Sequence, residues 1–201
     1  KVLFFVGIGG LIGLIVWQPY RLLRVKTTYD PWSDAQGVGY QAVQSMSTIG
    51  SGGLWGMGLG EGVSKYEYLP EAHTDFAFAI FAQEHGYLGV LLVIALFFML
   101  AVCCYYISAR ARDIYGQILT LGIMLLVVGQ AAGNLFMVSG TFPVVGIPLP
   151  FISYGGSSLL VTMASMGILL NICHHGVQVQ RGEVRPEEHD AAHQAPLHLV
   201  K

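Results

Sequence analysis

The sequence predicts an all-α integral membrane protein: about four transmembrane helices, a long outer loop and a shorter, re-entrant outer loop. Three observations carry this. Of 201 residues, 54% are hydrophobic and only 11% charged, whereas a soluble domain carries roughly 25% charged residues. The apolar residues fall into long runs of a length suited to a bilayer. The prolines and nearly all the charged groups lie outside the runs. A net charge of -2, with no basic cluster interleaved with aromatics, argues against a nucleic-acid surface. Cys103, Cys104 and Cys173 lie in apolar runs and read as small packing residues, with neither a disulfide framework nor a zinc pattern.

The first run, 2–17, is short for a bilayer unless upstream residues extend it. The chain starts at Lys1 without Met, and no small-residue cleavage site precedes Trp17 and Pro19. The run therefore reads as a helix at the cut edge of a longer chain rather than as a signal peptide. The second run, 76–107, is interrupted near its start by Gln83, Glu84 and His85. The third and fourth are 118–138 and 157–173, each near the ~20 residues needed to cross the hydrocarbon. Arg110 and Arg112 place the 108–117 link in the cytoplasm. Alternation then puts 18–75 and 139–156 outside and the tail, 174–201, inside. Arg21, Arg24, Lys26 and Lys65 oppose this assignment. They are diluted by Asp30, Asp34, Glu61, Glu67, Glu71, Asp75 and Glu84, and long loops obey the charge rule weakly.

Within the long outer stretch, 39–49 has the spacing of an amphipathic helix at the interface. It then breaks into the glycine-rich 50–60, where so many glycines imply close backbone approach or positive φ angles. No phosphate-cradling loop pattern is present. The tail is charged and without periodicity, so disorder is expected; the spacing of His174, His175, His189, His193 and His198 fits no standard metal site.

Two segments carry candidate chemistry. The first, 65–76, brings Glu67, Glu71, His73 and Asp75 to the entrance of the second run. Pro70 disfavours helix just before it, so the helix should begin near 73–75. Thr74 or Asp75 then either caps that helix or serves as a functional carboxylate held ionised by the helix dipole, suited to accept a proton. Glu84 and His85 extend the argument inward, because ionisable groups at membrane depth are expensive and usually face a polar cavity. Gln130 and Asn134, one turn apart, share a face and read as helix-to-helix hydrogen-bonding residues. In the second segment, 143–158, Pro143, Pro148 and Pro150 stiffen an outer loop. Gly155 and Gly156, followed by Ser157 and Ser158, supply flexible backbone and a cap for the last run. The backbone N–H groups there suit an anion such as pyrophosphate.

Four motifs, Asp30-Pro31-Trp32, Gly50-Ser51-Gly52-Gly53, 68–76 and 148–158, together resemble the SEDS family of FtsW, RodA and SpoVE, in that family's order and spacing. The resemblance covers nearly the whole chain except the tail, and the 30–32 and 67–72 segments look most like its cell-division branch, FtsW. It implies a peptidoglycan glycosyltransferase in the bacterial cytoplasmic membrane, at the division site if FtsW-like, which polymerises lipid II at the outer face for cell division or cell shape. The implied partners are a class B penicillin-binding transpeptidase and other division proteins. Carried over by position, the essential aspartate is Asp75 and the accompanying loop glutamate Glu67, both catalytic. Glu71, His73, Ser153, Gly155, Gly156 and Ser157 would bind substrate. Asp75 is implied either as general base toward the acceptor hydroxyl or as the anchor of a divalent cation, Mg or Mn, at the pyrophosphate, with Glu67 positioning substrate or metal. Family members have about ten spans, of which this chain matches the last four, so the fragment alone is expected to be inactive. The rival expectations are a lipid II flippase, with Glu84, His85, Gln130 and Asn134 lining its path, and a non-catalytic scaffold that uses a face such as that of Gly9 and Gly13.

Overall fold

A computed structural model describes residues 24, 27–61, 74–111 and 113–180, the side chains of 178–180 excepted. The expected first span, 2–17, lies outside the described residues, as do Glu67, Glu71, His73 and most of the tail. Every regular element among the described residues is helical: a 3-10 turn, Pro31–Asp34, then α1 (Tyr40–Ser51), α2 (Ala77–Arg110), α3 (Ile114–Val138) and α4 (Gly156–Gln180).

α2, α3 and α4 are each long and apolar enough to cross a membrane, which makes this a membrane protein. Their apolar residues point outward as well as inward: Leu92, Phe98, Leu125, Leu160 and Leu170 are all exposed, as a hydrocarbon solvent permits. The expected amphipathic helix is α1, one or two residues displaced from 39–49. α3 starts four residues earlier than the apolar run suggests, because the Asp113 carboxylate caps it by accepting from Gly116 N–H at 3.2 Å. α4 starts at Gly156, so Gly155 rather than a serine occupies the cap position, and its carbonyl accepts from Leu159 N–H at 2.9 Å.

The entrance to α2 differs from expectation. The helix begins at Ala77, with Phe76 at the cap position and no side-chain cap there. Residues 74–76 form a turn instead, and Phe76 is fixed by burial rather than by capping, at 1% exposure. A second difference is larger. α2 is not one straight rod: Gly86 leaves helical geometry (φ 65, ψ -165) and divides it into 77–85 and 87–110. The second part alone is about 36 Å long, sufficient for the hydrocarbon core.

That break sets the height of Asp75. Ser108 in α2 donates to the carbonyl of Gln117 in α3 at 3.3 Å, so the two helices are level at that end. Asn134 stands about 26 Å up α3 from there, whereas an unbroken α2 would carry Asp75 about 50 Å up. Asn134 nevertheless donates to the Asp75 carbonyl at 2.8 Å. The turn at Gly86 lays 77–85 back across the end of the helix pair. Phe76, Phe78, Ala79 and Ile80 thereby join Val93, Ala131, Met137, Val138 and Leu149 in one core.

α1 closes this end from the side. Buried Ser45 donates to the Val138 carbonyl at 2.7 Å, satisfying an end carbonyl of α3. The arginine Arg24 donates from Nη1 to the Val144 carbonyl at 2.6 Å.

Candidate active site

The glycine-rich segment after α1 forms one wall. Its backbone docks on the break in α2: Met57 N–H donates to Gln83 O at 2.9 Å, Gly58 N–H to Glu84 O at 3.1 Å and Tyr87 N–H to Gly53 O at 2.9 Å. A helix that stops at Gly86 leaves backbone groups without helical partners, and the loop supplies them. The fit admits no side chain. A β-carbon on Gly86 would strike Gly56 N and lie 2.7 Å from Leu54 O, and one on Gly56 would strike Glu84 O. Close backbone approach and positive φ are thus both present, as the glycine content implied.

Glu84 and Gln83 bolt the loop down. The buried Glu84 carboxylate accepts from Gly60 N–H at 3.1 Å, and Gln83 Nε2 donates to Ser51 Oγ at 2.8 Å. His85 Nδ1 lies 3.1 Å from the Phe81 carbonyl, and its ring stacks on Phe81 with centroids 4.2 Å apart. Both ionisable groups thus have partners within the local structure.

The opposite wall is the proline-rich 143–155 loop, and α3 holds it. Gln130 Nε2 donates to Pro148 O at 2.9 Å, and Asn134 Nδ2 donates to Ile147 O at 2.6 Å as well as to Asp75 O. These two residues do share a face, and among the described residues their partners are loop and turn carbonyls rather than another helix. The reason is the loop itself. Prolines have no N–H with which to pair, and the carbonyls of a buried irregular segment need donors at this depth. Further on, the turn is closed by Ser153, whose N–H donates to Leu149 O at 2.9 Å while its Oγ accepts from Leu149 N–H at 2.7 Å. Phe151, inside that turn, has φ 67. Such a conformation costs a bulky residue about 1–3 kcal/mol and concentrates at functional sites.

Asp75 stands at the second of these walls. Its carboxylate oxygen Oδ2 would be only 3.0 Å from a β-carbon on Gly146, which itself has φ 77. The carboxylate therefore rests against the 143–155 loop. Following that loop, Gly155 and the exposed Gly156 and Ser157 open α4, whose first turn presents backbone N–H groups without intrahelical acceptors. Of the residues expected from sequence to form the site, Asp75, Ser153, Gly155, Gly156 and Ser157 lie in this loop or at its edge. Ser153 has a structural task in the turn, and Glu67, Glu71 and His73 lie outside the described residues. Gly146 is not singled out by the sequence reading; its signal is a glycine between Val145 and Ile147 in a proline-flanked loop. Among the described residues no three His, Cys, Asp or Glu side chains converge as metal ligands. The acidic residues Glu67 and Glu71 and the imidazole of His73, which could add donors beside Asp75, lie outside the described residues.

The family model described as "Cell cycle protein", that of FtsW, RodA and SpoVE, matches residues 1–178. The chain belongs to this family. It is similar to a protein named "Probable peptidoglycan glycosyltransferase FtsW" from Trichlorobacter lovleyi, 44% identical over 177 residues, covering 86% of this chain and 46% of that protein. "Stage V sporulation protein E" of Bacillus subtilis is 42% identical over 85% of this chain and 46% of its own length. "Peptidoglycan glycosyltransferase MrdB" of Escherichia coli is 44% identical over 82% and 45%. Among solved structures, a chain from "Structural coordination of polymerization and crosslinking by a peptidoglycan synthase complex" superposes with a TM-score of 0.68 at 27% identity, covering 88% of this chain and 49% of that one. The FtsW, RodA and SpoVE family thus accounts for both sequence and fold, and the chain spans about half the length of the curated relatives it matches.

Proposed function

We propose that this chain carries the catalytic aspartate of a peptidoglycan glycosyltransferase that polymerises lipid II at the outer face of the cytoplasmic membrane. One observation carries the reading. The Asp75 carboxylate lies against Gly146, in the same loop that ends at the N-terminus of α4. A proton acceptor thereby stands against the segment that leads into a helix N-terminus suited to a pyrophosphate. The names of the relatives from Trichlorobacter lovleyi and Escherichia coli support the same chemistry.

In this reading Asp75 takes the proton from the 4-hydroxyl of the acceptor sugar as that oxygen attacks the anomeric carbon of the donor. The new C–O bond forms while the bond to undecaprenyl pyrophosphate breaks, and the pyrophosphate leaves with the electron pair. The first-turn N–H groups at Gly156 and Ser157 stabilise the developing negative charge. Glu67 would help position the substrate, and Glu71 and His73 would bind it. A class B penicillin-binding transpeptidase is the proposed partner, a division site the proposed location, and Mg or Mn a cofactor to be tested by chelation.

What favours a polymerase over a flippase is the employment of the polar groups within the spans. Glu84, Gln130 and Asn134 each hold a loop at one end of the bundle, whereas a transport path needs polar groups along its depth. The test is gel-based polymerisation of lipid II by residues 1–178 joined to the remaining part of the Trichlorobacter lovleyi relative, reconstituted with its transpeptidase. Glycan strands with Asp75 and none with a folded Asp75→Asn protein are expected. Equal strands from both would remove Asp75 from the chemistry, and none from either would favour the flippase or the scaffold.

A further inference from the structure

We infer that Asn134 is the positioning residue for Asp75, setting where its carboxylate stands against the 143–155 loop. This rests on the reading of Asp75 as the base.

Asn134 is fully buried, at 0% exposure, in a helix whose neighbours are apolar. Its amide nitrogen spends one hydrogen on the carbonyl of Asp75 (2.8 Å) and the other on the carbonyl of Ile147 (2.6 Å). A single side chain therefore cross-links two segments 72 positions apart in sequence, at the residue bearing the carboxylate and at the residue after the glycine it touches. Both hydrogens of the buried amide are thus committed to these two backbone carbonyls.

Registration matters at this position. Asp75 lies in the turn just before α2, and its carboxylate stands against Gly146. Gln130 provides an internal control. It lies one turn away on the same face and holds the same loop, through Pro148, but its amide bonds the loop and not the Asp75 backbone. A merely structural tether would make the two residues equivalent; a positioning role makes them different.

The experiment compares Asn134→Leu, Asn134→Ala and Gln130→Leu in the relative-length hybrid described above, with Asp75→Asn alongside, reading polymerisation rate against lipid II concentration and the amount of folded protein in detergent. For Asn134→Leu, kcat should fall about tenfold or more with KM within about twofold of the starting protein, since small displacements of a catalytic group cost rate rather than binding. Gln130→Leu should stay within about threefold in kcat. Should the leucine variant fail to fold, the alanine variant carries the same expectation. The inference is overturned if the folded Asn134 variants keep their kcat, or if Gln130→Leu loses as much. An active Asp75→Asn protein would instead overturn the reading of Asp75 as base. Inactive Asp75→Asn beside fully active Asn134 variants would leave that reading standing and remove Asn134 alone.

Discussion

Gly56 and Gly86 meet backbone to backbone: the loop after α1 lies so close to the break in α2 that a β-carbon on either would overlap main-chain atoms of the other segment. Both have positive φ, 82 and 65. Gly86→Ala therefore meets a conformational penalty and a clash with backbone at once, neither of which a flexible neighbour can relieve. A loss of about 3 kcal/mol or more is expected. Gly50, at the end of α1, faces open space, and Gly50→Ala should be neutral or stabilising by up to about 1 kcal/mol. Thermal unfolding in detergent, followed by fluorescence-detected size exclusion, separates the two. Similar melting of both variants would mean that the loop does not dock on the break.

Glu84 is buried and accepts from Gly60 N–H. An amide oxygen accepts the same bond, so Glu84→Gln should stay within about 1 kcal/mol of the starting protein, whereas Glu84→Ala leaves the donor unpaired and should cost about 1–3 kcal/mol. The same unfolding assay checks this, with limited proteolysis between 57 and 61 as a local readout. If the glutamine variant were as unstable as the alanine, the carboxylate charge itself would be the essential feature.

Gly146 lets the Asp75 carboxylate approach the loop. A methyl group at 146 pushes on Oδ2 and also strains the left-handed backbone, so Gly146→Ala should lower lipid II polymerisation about tenfold or more while costing only about 1–2 kcal/mol in stability. The two effects are read separately, by strand formation on gels and by melting. Full activity in this variant would show that the carboxylate acts from a place other than the loop surface.

Much of the fold is legible in the amino-acid sequence itself. Long apolar runs in 76–107, 118–138 and 157–173 specify α2, α3 and α4, because in hydrocarbon every backbone group must be satisfied within its own segment. The order of short motifs, from Asp30-Pro31-Trp32 to Gly155-Gly156, points to the family that the chain belongs to. The glycine run announces a backbone contact without naming its partner.

What the sequence leaves open is the partner and the height. The polar triplet Gln83, Glu84 and His85 interrupts the run just before Gly86, but it does not mark Gly86 as a break, because periodicity gives no sign of where a largely apolar helix bends. Gln130 and Asn134 read as helix-packing residues, since spacing reports which face they share and not which carbonyls lie opposite. The chemistry of the helices is therefore set by composition alone. The placement of Asp75 against Gly146, under Asn134, is decided by tertiary structure: one left-handed glycine turns a helix back, and the unpaired carbonyls of a proline-rich loop then require donors that only a distant helix provides.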